Sequence, residues 1–364
     1  MNDKKRVGAF PTKTIIFLVY LSILSLFLYA PCAYEFFSTP ERSLNLYTFR
    51  STICPEVIRE FEQKTGIVVR MSYYDTNEEL LAKFKVSRGK GYDLIFPSDY
   101  MVELLREDDL LQPIDHKKIA NVSQLDSRLL NRYFDPENRY SLPVAWSVYG
   151  IGFDKNMIDI DAKYGWRSIF ELGNKKQKIS MINDAREALF LGAIYLFGKV
   201  DALVDSQIDQ VQELLVKQKE FIEAYTESGA KFLLSSKIVP IAVMPASRAK
   251  ELIDEHDIDR YGFILPAQGS LLDIINVAIP VVSKKSALAH KLINFLLSKH
   301  VGARTFKILS SNPANRESYK MIDKKYCDDR SFFPDDKAFK KLHSIHNRIP
   351  MRRIEKLWFS VKSA

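Results

Sequence analysis

The run Tyr92-Asp93-Leu94-Ile95-Phe96-Pro97-Ser98-Asp99-Tyr100 breaks an apolar stretch at a proline and then presents a hydroxyl, a carboxylate and an aromatic ring. It reads as a buried parallel strand delivering polar groups at its carboxyl end, the edge where α/β folds bind ligands. Further along, Asn183-Asp184-Ala185-Arg186-Glu187 sets two carboxylates at i and i+3 at the expected start of a helix, where both can face one side. A cleft with a hydroxyl and a ring on one wall and two acids on the other suits a small cation. Ser98 can accept from or donate to an ammonium, and Tyr100 can offer a ring face in a contact of about 0.5–2 kcal/mol, depending on desolvation. An ammonium is strongly hydrated and enters a dry cleft only against a carboxylate. Both pairs also have a purely structural reading. Ser98 and Asp99 could close a plain turn, and Asp184-x-x-Glu187 is close to a capping box.

Other reactive constellations are weak. The six histidines lie in charged, helix-like contexts without ligand spacing, and His343 with His346 at i and i+3 reads as a pair on an exposed helix. No nucleophile elbow, phosphate loop or zinc spacing occurs, so neither a cofactor nor an enzyme is expected. Of 364 residues, 46% are apolar and 27% charged, ordinary values for a globular protein of about two domains. The net charge is +8. Positions 1–32 hold four basic residues and one acid, which leaves +5 spread over the remainder and gives no case for a nucleic-acid partner. The basic tail of Arg348, Arg352, Arg353, Lys356 and Lys362 reads as a solvated helix face. Cys54 and Cys327 could pair only if geometry brings them together.

Lys4, Lys5, Arg6 and Lys13 precede an uncharged run from Thr14 to Ala30, the pattern of a secretory signal. Three endings are open: acylation at Cys32 after Tyr29-Ala30-Pro31, cleavage as a soluble protein, or retention as an anchor, for which the run is shorter than the roughly 20 residues a span needs. Each puts the folded part outside the cytoplasm.

The elements that must position these residues alternate. Strands are expected at Leu44–Phe49, Ile67–Tyr73, Leu94–Phe96 and Ile179–Ile182. Helices are expected at Pro55–Lys64, Asn77–Lys85, Ala185–Phe197, Ile208–Tyr225 and Ala287–Leu297. Such alternation implies α/β architecture, a mostly parallel sheet with helices on both faces.

From about Leu44 to near the carboxyl terminus, the chain resembles the periplasmic spermidine/putrescine-binding proteins of polyamine ABC transporters. The likeness is carried by the two stretches above, by Val57-Ile58-Arg59-Glu60-Phe61-Glu62-Gln63-Lys64-Thr65-Gly66-Ile67, by Phe134-Asp135-Pro136-Glu137-Asn138-Arg139-Tyr140-Ser141-Leu142-Pro143, and by Lys291-Leu292-Ile293-Asn294-Phe295-Leu296-Leu297. The resemblance implies a two-lobed binding-protein fold, each lobe a mostly parallel sheet flanked by helices. Its first lobe would comprise 44–148 and 277–312 and its second 149–276 and 313–364, with crossings near Trp146–Gly152, Ile275–Pro280 and Ser311–Asn315. The ligand would lie between the lobes, whose closure a permease reads. It further implies a periplasmic monomer that binds a polyamine and docks on a membrane ABC permease.

Ser98, Tyr100, Asp184 and Glu187 match the family's ligand positions. Elsewhere the chain departs from that pattern. Phe49-Arg50-Ser51-Thr52 stands where relatives carry a Trp-Thr-x-Tyr cluster; Phe49 can still stack, whereas Arg50 would repel a polycation. Met244, Asp273 and Ser311 replace two tryptophans and a tyrosine, and Ile275 replaces an aspartate, whose charge Asp273 could supply from a shifted position. Trp146 reads as core more than cleft. The alternatives are a different solute on the same scaffold, such as a thiamine-like molecule, an amino acid or, through Tyr73 and Tyr74, ferric ion, and an envelope interaction protein that has lost its ligand.

Overall fold

The computed structural model describes residues 20–25, 42–50, 52–161, 164–171, 178–226, 229–256 and 259–364. The segment read as a secretory signal lies outside the described residues, Cys32 included, apart from helical residues 20–25. Among the described residues no helix is long and apolar enough to cross a membrane.

The first strands and helices alternate: β1 (Ser43–Phe49), α1 (Pro55–Thr65), β2 (Val68–Tyr74), α2 (Asn77–Ser87), β3 (Leu94–Ile95), α3 (Asp99–Glu107) and β4 (Leu111–Gln112). Local chemistry sets several of these limits. Pro55 opens α1, where its missing N–H costs nothing, and Gly66 ends it at φ 64°. The Thr76 side chain caps α2 by accepting from the Glu79 amide.

The chain continues through β5 (Ser141–Asp154), β6 (Ile179–Met181), α4 (Ala185–Phe197), α5 (Asp205–Gln218), β7 (Ile222–Tyr225), β8 (Ile241–Pro245), α6 (Ala246–Glu255) and β9 (Tyr261–Ile264). It returns along β10 (Ser270–Pro280), then α7 (Ser286–Leu296), α8 (Lys299–Leu309), β11 (Asn312–Pro313), β12 (Leu342–His343) and α9 (Met351–Ser363).

Strand order is β2-β1-β3-β10-β5-β8-β6-β7. Parallel pairs join β1 to β3, β6 to both β7 and β8, and β10 to β12. Among the described strands, the antiparallel pairs all involve β5 or β10. These are the two long strands that carry the chain out and back. The amino half of β5 pairs with β10, and its carboxyl half, from Tyr149 to Asp154, pairs with β8 and β9. One strand thus joins the two halves of the sheet.

Two local expectations change. The helix expected over Ile208–Tyr225 ends at Gln218, and Ile222–Tyr225 becomes a strand parallel to β6, where sheet pairing overrides helical spacing. His343 lies in β12 and His346 is buried, its ring 3.7 Å from that of Tyr133 and its Nε2 2.5 Å from Asp201, so the pair is not on an exposed helix. In the segment Ser311–Asn315, Asn315 bridges Leu125 and donates to Gln124 and to the Leu297 carbonyl. Cys54 and Cys327 are both free thiols. The basic face of α9 has partners, Arg353 with Asp209 and Lys362 at 3.7 Å from the Tyr225 ring centroid.

Candidate functional site

A cleft of about 600 Å³ opens where β5 and β10 run side by side. In their register Asp273 faces Ser147 and Ile274 faces Trp146, and the pairing shifts between Ile275 and Asn276. At that irregularity the strand-to-helix turn after β3 docks on β10: Ser98 bridges Ile275, and the Asn276 amide donates to the Pro97 carbonyl at 2.9 Å. The polar loop is thereby fixed against the crossing strands. Phe49, Ser98, Tyr100, Asp184, Glu187 and Asp273 all line this cleft.

Asp184 is the N-cap of α4, its Oδ1 accepting from the amides of Arg186 and Glu187, each at 2.8 Å. The capping reading therefore holds for Asp184, on a residue that also borders the cleft. Glu187 accepts the Tyr149 hydroxyl at 2.6 Å, which ties α4 to β5. Burial, and then the Glu187 charge, hold the Tyr149 phenol well above its ordinary range, so it is a neutral donor.

Tyr100 is buried, and the Arg186 guanidinium carbon lies 5.1 Å from its ring centroid. One face expected to receive a ligand cation is thus occupied by the protein's own. Arg186 is itself 5% exposed and donates to the His346 carbonyl at 3.3 Å. Phe49 packs at a tilt on Tyr74, with ring centroids 4.3 Å and planes 55° apart, and the Tyr74 hydroxyl donates to the Phe96 carbonyl at 2.7 Å.

Arg50 sits at the mouth, highly exposed, 3.7 Å from Asp75 and over the Tyr73 ring. Asp75 offsets the repulsion that Arg50 would exert on a cation. Tyr73 and Tyr74 are neighbours in a strand and point to opposite faces, so they do not converge on one ion. Among the described residues no group of three His, Cys, Asp or Glu is placed to hold a metal. Met244 is buried against Gly152, whereas Ile275 and Ser311 line the cleft. Trp146 borders it too, but the ring is 1% exposed and its Nε1 donates to the Pro313 carbonyl at 3.2 Å, a structural post more than a stacking surface.

Sequence reasoning passed over Tyr149, Ser147, Arg186 and the ligand potential of Asp99. Tyr149 and Ser147 are two apart on β5 and share a face, a period-2 signal that could have found them. Asp99 is 2% exposed, and burial followed by the Asp273 charge pushes its carboxyl up to about 8, against the opposing pull of the Tyr100 amide, the Ser344 hydroxyl and Arg132. Burial also pushes Asp273 up to about 6. The cleft is therefore rich in carboxyl groups whose charge is poorly solvated, a setting that favours an incoming cation.

A profile of the bacterial extracellular solute-binding protein family matches residues 56–334. The chain is 28% identical over 300 residues to the spermidine/putrescine-binding periplasmic protein of Salmonella typhimurium, covering 82% of this chain and 85% of that one. It is 26% identical over 340 residues to the putrescine/cadaverine-binding protein of Pseudomonas aeruginosa, covering 89% and 95% respectively. Its fold is similar to the crystal structure of the spermidine/putrescine ABC transporter substrate-binding protein of Streptococcus pneumoniae, with a TM-score of 0.79 and 25% identity over 89% of this chain and 99% of that one. With a two-lobed α/β architecture, a cleft at the shared strands and a family profile spanning most of its length, the chain belongs to the bacterial extracellular solute-binding protein family.

Proposed function

We propose that this protein is the extracytoplasmic solute-binding component of an ABC importer, that its ligand is a polyamine such as putrescine or spermidine, and that it works as a periplasmic monomer delivering that ligand to a membrane permease. The observation that carries the ligand is the convergence of Asp184, Glu187 and Asp273 on one cleft that also presents Phe49, Tyr100 and Ser98. Carboxylates supply charge-assisted bonds to ammonium groups, and the rings cover the methylene chain between them. The names of the relatives point the same way. Phe49, Ser98, Tyr100, Asp184, Glu187 and Asp273 are assigned as ligand-contacting residues, with Tyr100 acting through its edge, hydroxyl or the face that Arg186 leaves open.

The mechanism is capture and hinge closure without covalent chemistry. Bending along β5 and β10, which are common to both lobes, would bring α4 toward the turn at Ser98. We place the first lobe at 44–148 with 277–321 and the second at 149–276 with 322–364. Support for moving the last boundary past Ser311–Asn315 comes from Tyr319, which hydrogen-bonds Trp146 and Asp126, and from Tyr326, which reaches Asp254.

A thermal-shift panel of putrescine, spermidine, thiamine, basic amino acids and ferric ion on the folded domain tests the reading. A polyamine at one hundred times its dissociation constant stabilises by about 2.7 kcal/mol, which raises the melting temperature by several degrees. A clear shift with another solute and none with millimolar polyamine overturns the ligand and leaves the binding protein.

A further inference from the structure

The cleft holds a second acidic pair, distinct from the one on α4. Asp273 lies on β10 two residues from Ile275, and strand residues two apart share a face. Ile275 is bridged by Ser98, and the next residue, Asp99, is the first of α3. The topology thus brings Asp99 and Asp273 to one stretch of the cleft, which both line, and the charge of Asp273 opposes ionisation of Asp99.

The polar atoms around them lack donors. The Oδ1 of Asp99 accepts from the Tyr100 amide at 2.8 Å, and the Ser344 hydroxyl also favours the charged carboxylate, but no hydrogen bond of normal geometry reaches Oδ2 among the described residues. Ser147, opposite Asp273 in the register and 6% exposed, has an Oγ without a partner, as does Ser98, and both residues line the cleft. Buried polar atoms are almost always satisfied in folded proteins. A carboxylate oxygen without a well-formed bond and two hydroxyls without partners among the described residues, all from residues lining one cavity, suit a guest rich in donors.

We propose that Asp99 and Asp273, with Ser147 and Ser98, form an ammonium-binding subsite of their own, so that a ligand with an ammonium at each end engages this pair with one and Asp184/Glu187 with the other. The inference rests on the polyamine reading and adds Asp99 and Ser147 to the site. The charged and titratable groups facing Asp99 are Asp273, Arg132 and Tyr133; those facing Asp273 are Asp99, Tyr74 and Tyr149. Burial holds both carboxyls above their usual range, to about 8 and about 6, so the empty pair retains a proton at neutral pH. An arriving ammonium keeps its own protons and displaces that one to the buffer.

Calorimetric titration with putrescine at pH 6 and pH 8.5, in phosphate and in Tris, reads this directly. The parent protein should release a proton, seen as a buffer-dependent heat, and bind about tenfold more tightly at the higher pH. Asp99→Asn, which keeps an acceptor for the Tyr100 amide, should bind at least about tenfold more weakly at pH 8.5 and lose most of the pH dependence. Ser147→Ala removes only the hydroxyl and should weaken binding several-fold with an unchanged melting temperature. Parental affinity and pH slope in Asp99→Asn, or parental affinity in a folded Ser147→Ala if Asp99→Asn fails to fold, overturns the subsite while the polyamine reading stands. If the parent binds neither putrescine nor spermidine, the functional reading itself fails and the subsite falls with it.

Discussion

Asp184 shows how one side chain serves fold and site together. Its Oδ1 holds two backbone amides at the start of α4, and asparagine can make the same bonds without the charge. Asp184→Asn should therefore leave ligand-free stability nearly unchanged and weaken putrescine binding by about 2 kcal/mol, whereas Asp184→Ala should also lose about 1 kcal/mol of folding stability. Titration calorimetry and urea unfolding separate the two effects. Parental affinity in Asp184→Asn and in Glu187→Gln would reduce the pair to a helix start. A pH effect on the empty protein follows from Asp99. Its folded carboxyl sits at about 8 against an ordinary 3.8, so the unfolded chain loses its proton first as pH rises. The stability present below pH 4 is then lost progressively up to about pH 8, by a few kcal/mol in order of magnitude. Asp99→Asn should flatten that decline in denaturant titrations at pH 5 and pH 8; an equal decline in both proteins would show that Asp99 ionises normally. The placement of Ser98, Tyr100 and the α4 acids on the cleft wall was legible because each lies at an element boundary marked by proline or a cap. Tyr149 and Arg186 were not, because their roles depend on which strand passes beside which helix. Arg186 in particular stands between two acids in sequence, yet its charge lies over the ring of Tyr100, a residue of α3 far away in the chain.

At the scale of elements, local punctuation was a good guide and pairing was not. Gly66 after α1 and Gly198 after α4, both at positive φ, mark helix ends that the spacing also marks. The strand Ile222–Tyr225 carries no break before it that distinguishes it from a continuing helix, and only the presence of β6 decides its state. Close strand packing carries its own cost for substitution. A Cβ at Gly150 would stand 2.5 Å from the Ile264 carbonyl and from the Phe263 ring, where β5 meets β9. Gly150→Ala should destabilise the fold by about 1–3 kcal/mol, as overpacking does. A melting temperature within a degree of the parent would mean that β9 moves away freely. Because this position lies beside Tyr149, the variant should also weaken ligand binding through displacement of the Glu187 partner.

For the molecule as a whole, alternation of strands and helices made the α/β class readable, and the resemblance supplied the lobes. The antiparallel joins through β5 and β10 are a property of long-range order that no window of sequence contains. If the lobes close on ligand, small-angle scattering should record a smaller radius of gyration on addition of putrescine; an unchanged profile under saturating ligand would argue against hinge closure. The return of β10 also dictates an order of events during synthesis. β3 meets β1 early, through Leu46 beside Leu94, but its other edge is covered only when Ala278 arrives beside Ile95. Until then the nascent chain carries an uncovered strand edge and an unfinished core, open to mispairing and to chaperones. Loop closure across so long an intervening segment also makes folding slow. A polypeptide that remains incomplete until most of it has been made is in the state that an export machinery can still thread.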